Sequence, residues 1–211
     1  MAFMDILFPT KQQSTKEGAQ NSIKITLARI PQDLEKICAC RQSALPRKAN
    51  GEPQTLDEAA ETAGISFGDR KFYQAEGLQD PRSSFVCLLA EDTSRKVALG
   101  CAEIRLPQPR TSGNLLASVP TANIRNVFVR EEARGQGIAK RLMASMEKMA
   151  LEVSPKVLLT LDVATSNTAA ITLYKSLGFR PRGPVYAATL ALGEITGAPL
   201  LIAMEKRVGV P

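Results

Sequence analysis

The spacing of apolar and polar positions changes several times along this chain, and each change marks an element. Residues 22–28 alternate apolar and polar side chains, which predicts a strand. Pro31 then opens a helix with Asp33 and Glu35 in its first turn, where the helix dipole favours acids. Leu34, Ile37 and Cys38 form its apolar face. Residues 56–63 suit a short helix. Residues 84–91 are almost wholly apolar, as in a buried central strand. After a turn at 93–95, residues 97–106 supply its antiparallel partner. Residues 107–120, with Gly113 and three prolines, read as a long loop of the kind that often carries function. Residues 122–129 predict a strand whose alternation fails, because Ile124, Val127, Phe128 and Val129 cannot all face one way. A β-bulge repairs such a pattern, and bulges favour active sites. Residues 135–152 predict a helix with Ile138, Leu142, Met146, Met149, Ala150 and Val153 on one face. A strand at 157–163 and a helix at 168–177, stopped by Gly178, follow. Two further strands, near 185–192 and 200–206, flank a turn containing Gly193 and Gly197.

Antiparallel strands followed by strand, helix, strand and helix predict an α/β (α+β) fold. The expectation is one domain over residues 22–207, with a mixed, mostly antiparallel sheet of about seven strands flanked by about four helices. Residues 1–21 read as a flexible N-terminal tail and 208–211 as a C-terminal tail. The opening residues are apolar but lack a basic flank and a cleavage site, so no signal peptide is expected. Residues 9–21 are polar with a single acid, which leaves a short organellar transit tail open. No run approaches the roughly 18 apolar residues of a membrane span, and no membrane association is expected.

Composition narrows the chemistry. The 211 residues contain no histidine, which removes Ser-His-Asp and Cys-His hydrolases, histidine general bases and His-ligated zinc. The four cysteines, Cys38, Cys40, Cys87 and Cys101, lack the spacing of a zinc or redox motif. They read as thiols in the cytoplasm or another reducing compartment, and no metal is expected. The net charge of +6 is scattered, although Arg105, Arg110, Arg125, Arg130, Arg134, Lys140 and Arg141 cluster in mid-chain. With no Trp and three Tyr, stacking platforms for nucleic acid are scarce. A polyanionic cofactor explains the same charges more simply.

The segment 126–142, NVFVREEARGQGIAKRL, carries the candidate binding chemistry. A strand ends at Val129, and a glycine-bearing turn delivers the chain into a helix. Gly135, Gln136 and Gly137 are expected to open that helix, the glycines letting an anion approach the backbone. The first turn of any helix has unpaired N–H groups, its dipole adds positive potential, and a pyrophosphate fits there. Arg134 and Lys140 add charge beside it. One such exposed contact contributes only about 0.3–1 kcal/mol, so several amides must converge. The plainer alternative is a turn shaped by two glycines. No Gly-Lys-Ser/Thr follows, as a P-loop needs, and the dinucleotide fingerprint is incomplete.

Taken with the block 161–179, LDVATSNTAAITLYKSLGF, this segment resembles the GNAT superfamily of acetyl-CoA-dependent N-acetyltransferases. Arg134-x-x-Gly137-x-Ala139 matches the pattern with which that family binds CoA pyrophosphate. Val163, Asn167, Ala170, Leu173, Tyr174, Gly178 and Phe179 match its next block. The likeness extends to ribosomal-protein alanine and other protein N-terminal acetyltransferases. Asp162 stands where those enzymes have glutamate, and Ala164 departs from their arginine.

The resemblance implies acetyl-CoA as cosubstrate, an amine acceptor that is a protein or peptide, and a monomer or homodimer. It implies a splayed central strand pair, with Val127, Phe128 and Val129 along the pantetheine arm and the amides of Val127 and Val129 polarising the thioester. Pyrophosphate is assigned to the segment Arg134, Gly135, Gln136, Gly137, Ile138, Ala139 and Lys140. Asn167, Ala170, Leu173 and Tyr174 form the other wall, although Asn167 equally suits a helix N-cap. Tyr174 matches the family's general acid. Its ordinary pKa near 10 against a thiol's near 8.5 makes proton donation uphill by about 2 kcal/mol, which favours a strong hydrogen bond to sulfur. Asp162 and Glu103 are the candidate bases, with surface ion pairing as the alternative for each. At an ordinary pKa near 3.9, Asp162 needs burial or a water relay to serve. At pH 7 roughly a tenth of an α-amine is unprotonated but under about a thousandth of a lysine, so a weak base favours N-termini. The reading is an N-acetyltransferase for protein N-termini or lysines. Small-amine acetyltransferase (polyamine, arylalkylamine or antibiotic) and idle acyl-CoA sensor are the alternatives. Residues 41–84, 107–120 and 183–200 are expected to line the acceptor side.

Overall fold

The computed structural model describes residues 22–45, 47–52, 54–58, 76–79, 84–107, 119–182 and 201–209. In chain order its elements are β1 (Ile23–Leu27), α1 (Leu34–Ala44), β2 (Phe85–Asp92), β3 (Val97–Arg105) and β4 (Thr121–Val129). Then come α2 (Ile138–Val153), β5 (Lys156–Ala164), α3 (Thr168–Ser176), β6 (Arg180–Pro181) and β7 (Leu201–Gly209). Short 3₁₀ turns lie at Glu76–Gln79 and Glu131–Ala133, and residues 56–58 are helical. The strands form one seven-stranded sheet in the order β1-β2-β3-β4-β5-β7-β6. Among the described strands only β4 and β5 run parallel, joined through α2, so the sheet is mixed and mostly antiparallel.

Apolar side chains cover both faces of the sheet. On one face, Ile138, Leu142, Met146, Met149 and Ala150 of α2 pack against Ala102, Ile104, Ile124, Leu159 and Leu161. On the other, Ile37 and Cys40 of α1 pack on Cys87, Leu89 and Cys101. Burying a side chain of this size stabilises the fold by about 1.5–3 kcal/mol, so these stripes hold both helices down. The four cysteines are free thiols, and Cys40, Cys87 and Cys101 are buried.

Several expectations need correction. Helix α1 begins at Leu34, because residues 30–33 form a turn in which Asp33 accepts the Arg29 N–H at 2.8 Å. Its buried face is Ile37, Cys40, Arg41 and Ala44, which places an arginine inside. Leu34 and Cys38 are only partly buried at the margin of that core. Helix α2 starts at Ile138, not at Gly135, since both glycines have positive φ. Strand β7 runs to Gly209, past the expected domain end at 207. The expected loop interior (108–118), the strand at 185–192, the tail 1–21 and most of the helix at 56–63 lie outside the described residues.

Candidate active site

The site begins where the sheet parts. Strands β4 and β5 pair from Thr121↔Leu158 to Ile124↔Leu161 and no further, although β4 runs on to Val129 and β5 to Ala164. A bulge accompanies the parting. Glu103 faces Arg125 and Cys101 faces Phe128, so Asn126 and Val127 together oppose the single residue Ala102. Asn126 adopts φ +52, which few non-glycine residues do. The bulge resolves the broken alternation: Ile124, Val127 and Val129 turn to the α2 core, while Phe128 packs on the α1 side.

Strand geometry then decides which amides are available. Arg130 donates its N–H to Leu99 O at 2.9 Å, so successive residues alternate between facing β3 and facing away. Phe128 faces β3, whereas Val127 and Val129 present their backbone groups to the edge β5 has left. In agreement, the Val129 carbonyl accepts from Arg134 Nε at 3.3 Å.

A glycine-shaped loop closes one end of this opening. Gly135 has φ +78 and Gly137, the N-cap of α2, has φ +75. A Cβ built on either glycine meets nothing within 4 Å, so backbone conformation, not crowding, is what calls for glycine. Arg141 donates the first helical N–H, to Gly137 O at 3.0 Å. The N–H groups of Ile138, Ala139 and Lys140 therefore have no carbonyl a turn behind them. Side chains enter differently: Ile138 is buried in the core and Lys140 is exposed. Arg134 uses Nη2 to hold Ala44 O at 2.7 Å, which places its cation at the C-terminus of α1.

Parting strands, bulge and loop enclose a cleft of about 760 Å³. Val127, Phe128 and Val129 line it from β4, and Arg134, Gly135, Gly137, Ile138, Ala139 and Lys140 from the loop and α2. Asn167, Ala170, Leu173 and Tyr174 complete the far wall from α3. Asn167 Oδ1 accepts the Ala170 N–H at 3.1 Å, so this cleft residue also caps α3. Tyr174 is buried beside Phe179, with ring centroids 6.0 Å apart, and burial pushes its hydroxyl up to about 12. Proton donation to a thiolate is then uphill by about 5 kcal/mol, which strengthens the case for a hydrogen bond over early transfer. The structure adds Ala44, Leu45 and Gln54 from the α1 side, and Ala133, Ala164, Ser166 and Ala169. Those at 164–169 lie inside the block already singled out; the first three carry no local signal.

The two candidate bases sit elsewhere. Asp162 lies one residue beyond the last β4–β5 pair, on the sheet face opposite the buried residues Leu161 and Val163. It is exposed, yet partial burial raises its pKa, countered by the charge of Arg182. Glu103 is fully buried and its two oxygens accept from Arg41 and from Arg125 Nε, the latter at 2.8 Å. That carboxylate is committed to two guanidinium groups and is not in the cleft wall. The mid-chain cations also divide. Arg141 holds Ile23 O at 2.7 Å, Arg130 approaches Glu132 at 3.6 Å and Arg105 lies over Phe85. Only Arg134 and Lys140 of that group line the cleft; Arg110 lies outside the described residues.

The donor set fits a pyrophosphate with a pantetheine arm: helix-start amides with Lys140 at one end, and the strand edge and Asn167 along the length. No curated protein sequence matches the chain. Its fold is similar to an acetyltransferase of the GNAT family from Staphylococcus aureus Mu50 (14% identity, 88% of this chain and 98% of that one, TM-score 0.55). It is also similar to Arabidopsis thaliana NAA60 in complex with acetyl-CoA (17%, 88% and 98%, 0.56). A third likeness is to AAC(6')-Iy in complex with a bisubstrate analogue, CoA-S-monomethyl-acetylneamine (20%, 77% and 94%, 0.51). At such identities the likeness is one of fold. The family described as Acetyltransferase (GNAT) family matches residues 53–179, more than half of the sequence, and the chain belongs to it.

Proposed function

We propose that this GNAT acetyltransferase moves an acetyl group from acetyl-CoA to the α-amine of a protein N-terminus. The observation that carries the transfer reading is the parting of β4 from β5 directly beside the helix-start amides of α2. When bound, acetyl-CoA supplies the activated acyl group. Gly135 to Lys140 hold its phosphates, Asn167 bonds the arm, and the N–H groups of Val127 and Val129 draw charge onto the thioester oxygen, as oxyanion donors do. The Tyr174 hydroxyl, kept protonated by burial, donates a hydrogen bond to the leaving sulfur.

The acceptor is inferred from what removes its proton. Asp162 is the acid beside the parting, and burial raises its pKa, which makes it a better match to an amine reached through water. Such a base works best on an amine that is already partly neutral, and an α-amine is far more so than a lysine. The likeness of 161–167 to protein N-terminal acetyltransferases, apart from Asp162 and Ala164, supports the same acceptor. The fold neighbours NAA60, solved with acetyl-CoA, and AAC(6')-Iy, solved with CoA-S-monomethyl-acetylneamine, keep the small-amine acceptor as the alternative to test. A panel of peptides, polyamines, arylalkylamines and aminoglycosides with acetyl-CoA, read by free-thiol release, tests the proposal. Free α-amine peptides are expected to lead in kcat/KM. A small amine that outruns every peptide would replace the protein acceptor, and no thiol release with any amine would leave an acyl-CoA sensor.

A further inference from the structure

The bulge that shapes the cleft is gripped from the opposite face of the sheet. Arg125 is the last β4 residue in register before the bulge, and its partner across the strand is Glu103. Phe128 is the residue at which register resumes, opposite Cys101. Arg41, fully buried on α1, reaches both ends. Its Nη2 donates to one oxygen of Glu103, whose other oxygen holds Arg125, and its guanidinium lies 5.7 Å from the centre of the Phe128 ring. Arg125 is further fixed by stacking 3.4 Å over Phe85. Asn126 and Val127 bridge these two anchored points in a backbone conformation that costs free energy.

Stability does not explain such an arrangement. Taking a carboxylate and a guanidinium out of water is costly, and apolar side chains of similar volume often do as well or better. What a buried, hydrogen-bonded ionic cluster supplies is a single geometry, since a small shift leaves a charge without its partner. The geometry specified here belongs to the strand edge carrying the Val127 and Val129 amides.

We infer that Arg41, Glu103 and Arg125 are positioning residues: they lock the β4 bulge and so aim the N–H groups of Val127 and Val129 at the thioester oxygen. The inference rests on the acetyl-transfer reading above. It assigns Glu103 the task of holding two cations in place rather than accepting the amine's proton.

The test reads the thioester carbonyl directly and needs no acceptor. Isotope-edited infrared spectra of acetyl-CoA labelled with ¹³C at the carbonyl are compared free, bound to the wild type, and bound to two variants. Arg125→Gln keeps the Arg41–Glu103 pair; Arg41→Met with Glu103→Leu replaces that pair by apolar groups. In the wild type the bound carbonyl stretch is expected below its value in buffer. Hydrogen bonds weaken steeply with misalignment, so both variants should lose about half of that shift or more. CoA affinity by calorimetry should change less than about threefold, because the helix-start amides of α2 are untouched. A variant that melts cooperatively yet keeps the full carbonyl shift overturns the inference alone. A wild type that binds no acetyl-CoA overturns the acetyl-transfer reading, and the inference falls with it.

Discussion

Replacing Gly137 by alanine separates the two roles that the loop before α2 combines. The first role is conformational. Gly137 sits at φ +75 with nothing within 4 Å of a built Cβ, so alanine meets no clash and incurs only the left-handed penalty of about 1–2 kcal/mol. For a chain of this size each kcal/mol lowers Tm by about 2–4 °C, which gives a loss of roughly 2–8 °C. The second role is binding. The added methyl enters open space at the residue just ahead of the Ile138, Ala139 and Lys140 amides, which phosphate oxygens would have to approach within about 3 Å. Losing two such exposed contacts, at about 0.3–1 kcal/mol each, weakens acetyl-CoA by about 3–30-fold. Gly51 provides the control: it has φ +84, is equally open, and does not line the cleft. Gly51→Ala should lower Tm by a similar amount and leave affinity unchanged. Scanning calorimetry and isothermal titration with acetyl-CoA measure the two effects. Equal affinities in the two variants would refute the placement of the phosphates.

Further expectations concern turnover, pH and the sheet edge. Tyr174→Phe should lower single-turnover acetyl transfer about 10²–10⁴-fold while acetyl-CoA affinity stays within about twofold, because it removes only the hydroxyl proposed to bond the leaving sulfur. An unchanged rate would make the tyrosine a packing residue. Its pKa is raised from an ordinary 10.0 to about 12, so the folded state holds this proton more tightly. The resulting stability, about 3 kcal/mol, is fully present below about pH 10 and lost as pH rises toward 12. Denaturant melts from about pH 9 to about 12 should therefore show the wild type losing stability relative to Tyr174→Phe, which has no phenol proton to give up. Gly209→Ala should destabilise by about 2–4 kcal/mol, because its Cβ would lie 2.0 Å from the Pro155 carbonyl oxygen and the residue has φ +99. A wild-type Tm would show that β7 does not run to Gly209.

What the sequence reveals here is what acts locally. The glycine turn before α2, α2 itself and α3 are legible because glycine positions and apolar stripes are short-range signals. Even the bulge announces itself, since Ile124, Val127, Phe128 and Val129 break alternation and the structure turns Phe128 alone toward α1. The start of α2 misleads by three residues: Gly135 and Gly137 look like helix residues, but their positive φ puts them in the turn. Arg41 is the deeper miss. Hydropathy places an arginine outside, and the partner that draws it inside, Glu103, is 62 positions away in sequence. For the same reason Glu103 looks like a base beside a loop when it is already held between two guanidiniums. Two-residue β6, at Arg180–Pro181, is too short to carry a periodic signal.

The central claim is that acetyl-CoA lies along the parted edge of β4 with its phosphates on the start of α2. Amide ¹H–¹⁵N shifts recorded while acetyl-CoA is added test both binding and place in one titration. The account predicts saturable binding, with the largest downfield amide shifts at Gly135, Gly137, Ile138, Ala139 and Lys140, and at Val127 and Val129 of β4. Absence of any shift up to about millimolar cosubstrate, an affinity of only about −4 kcal/mol, would contradict it. So would shifts confined to other elements.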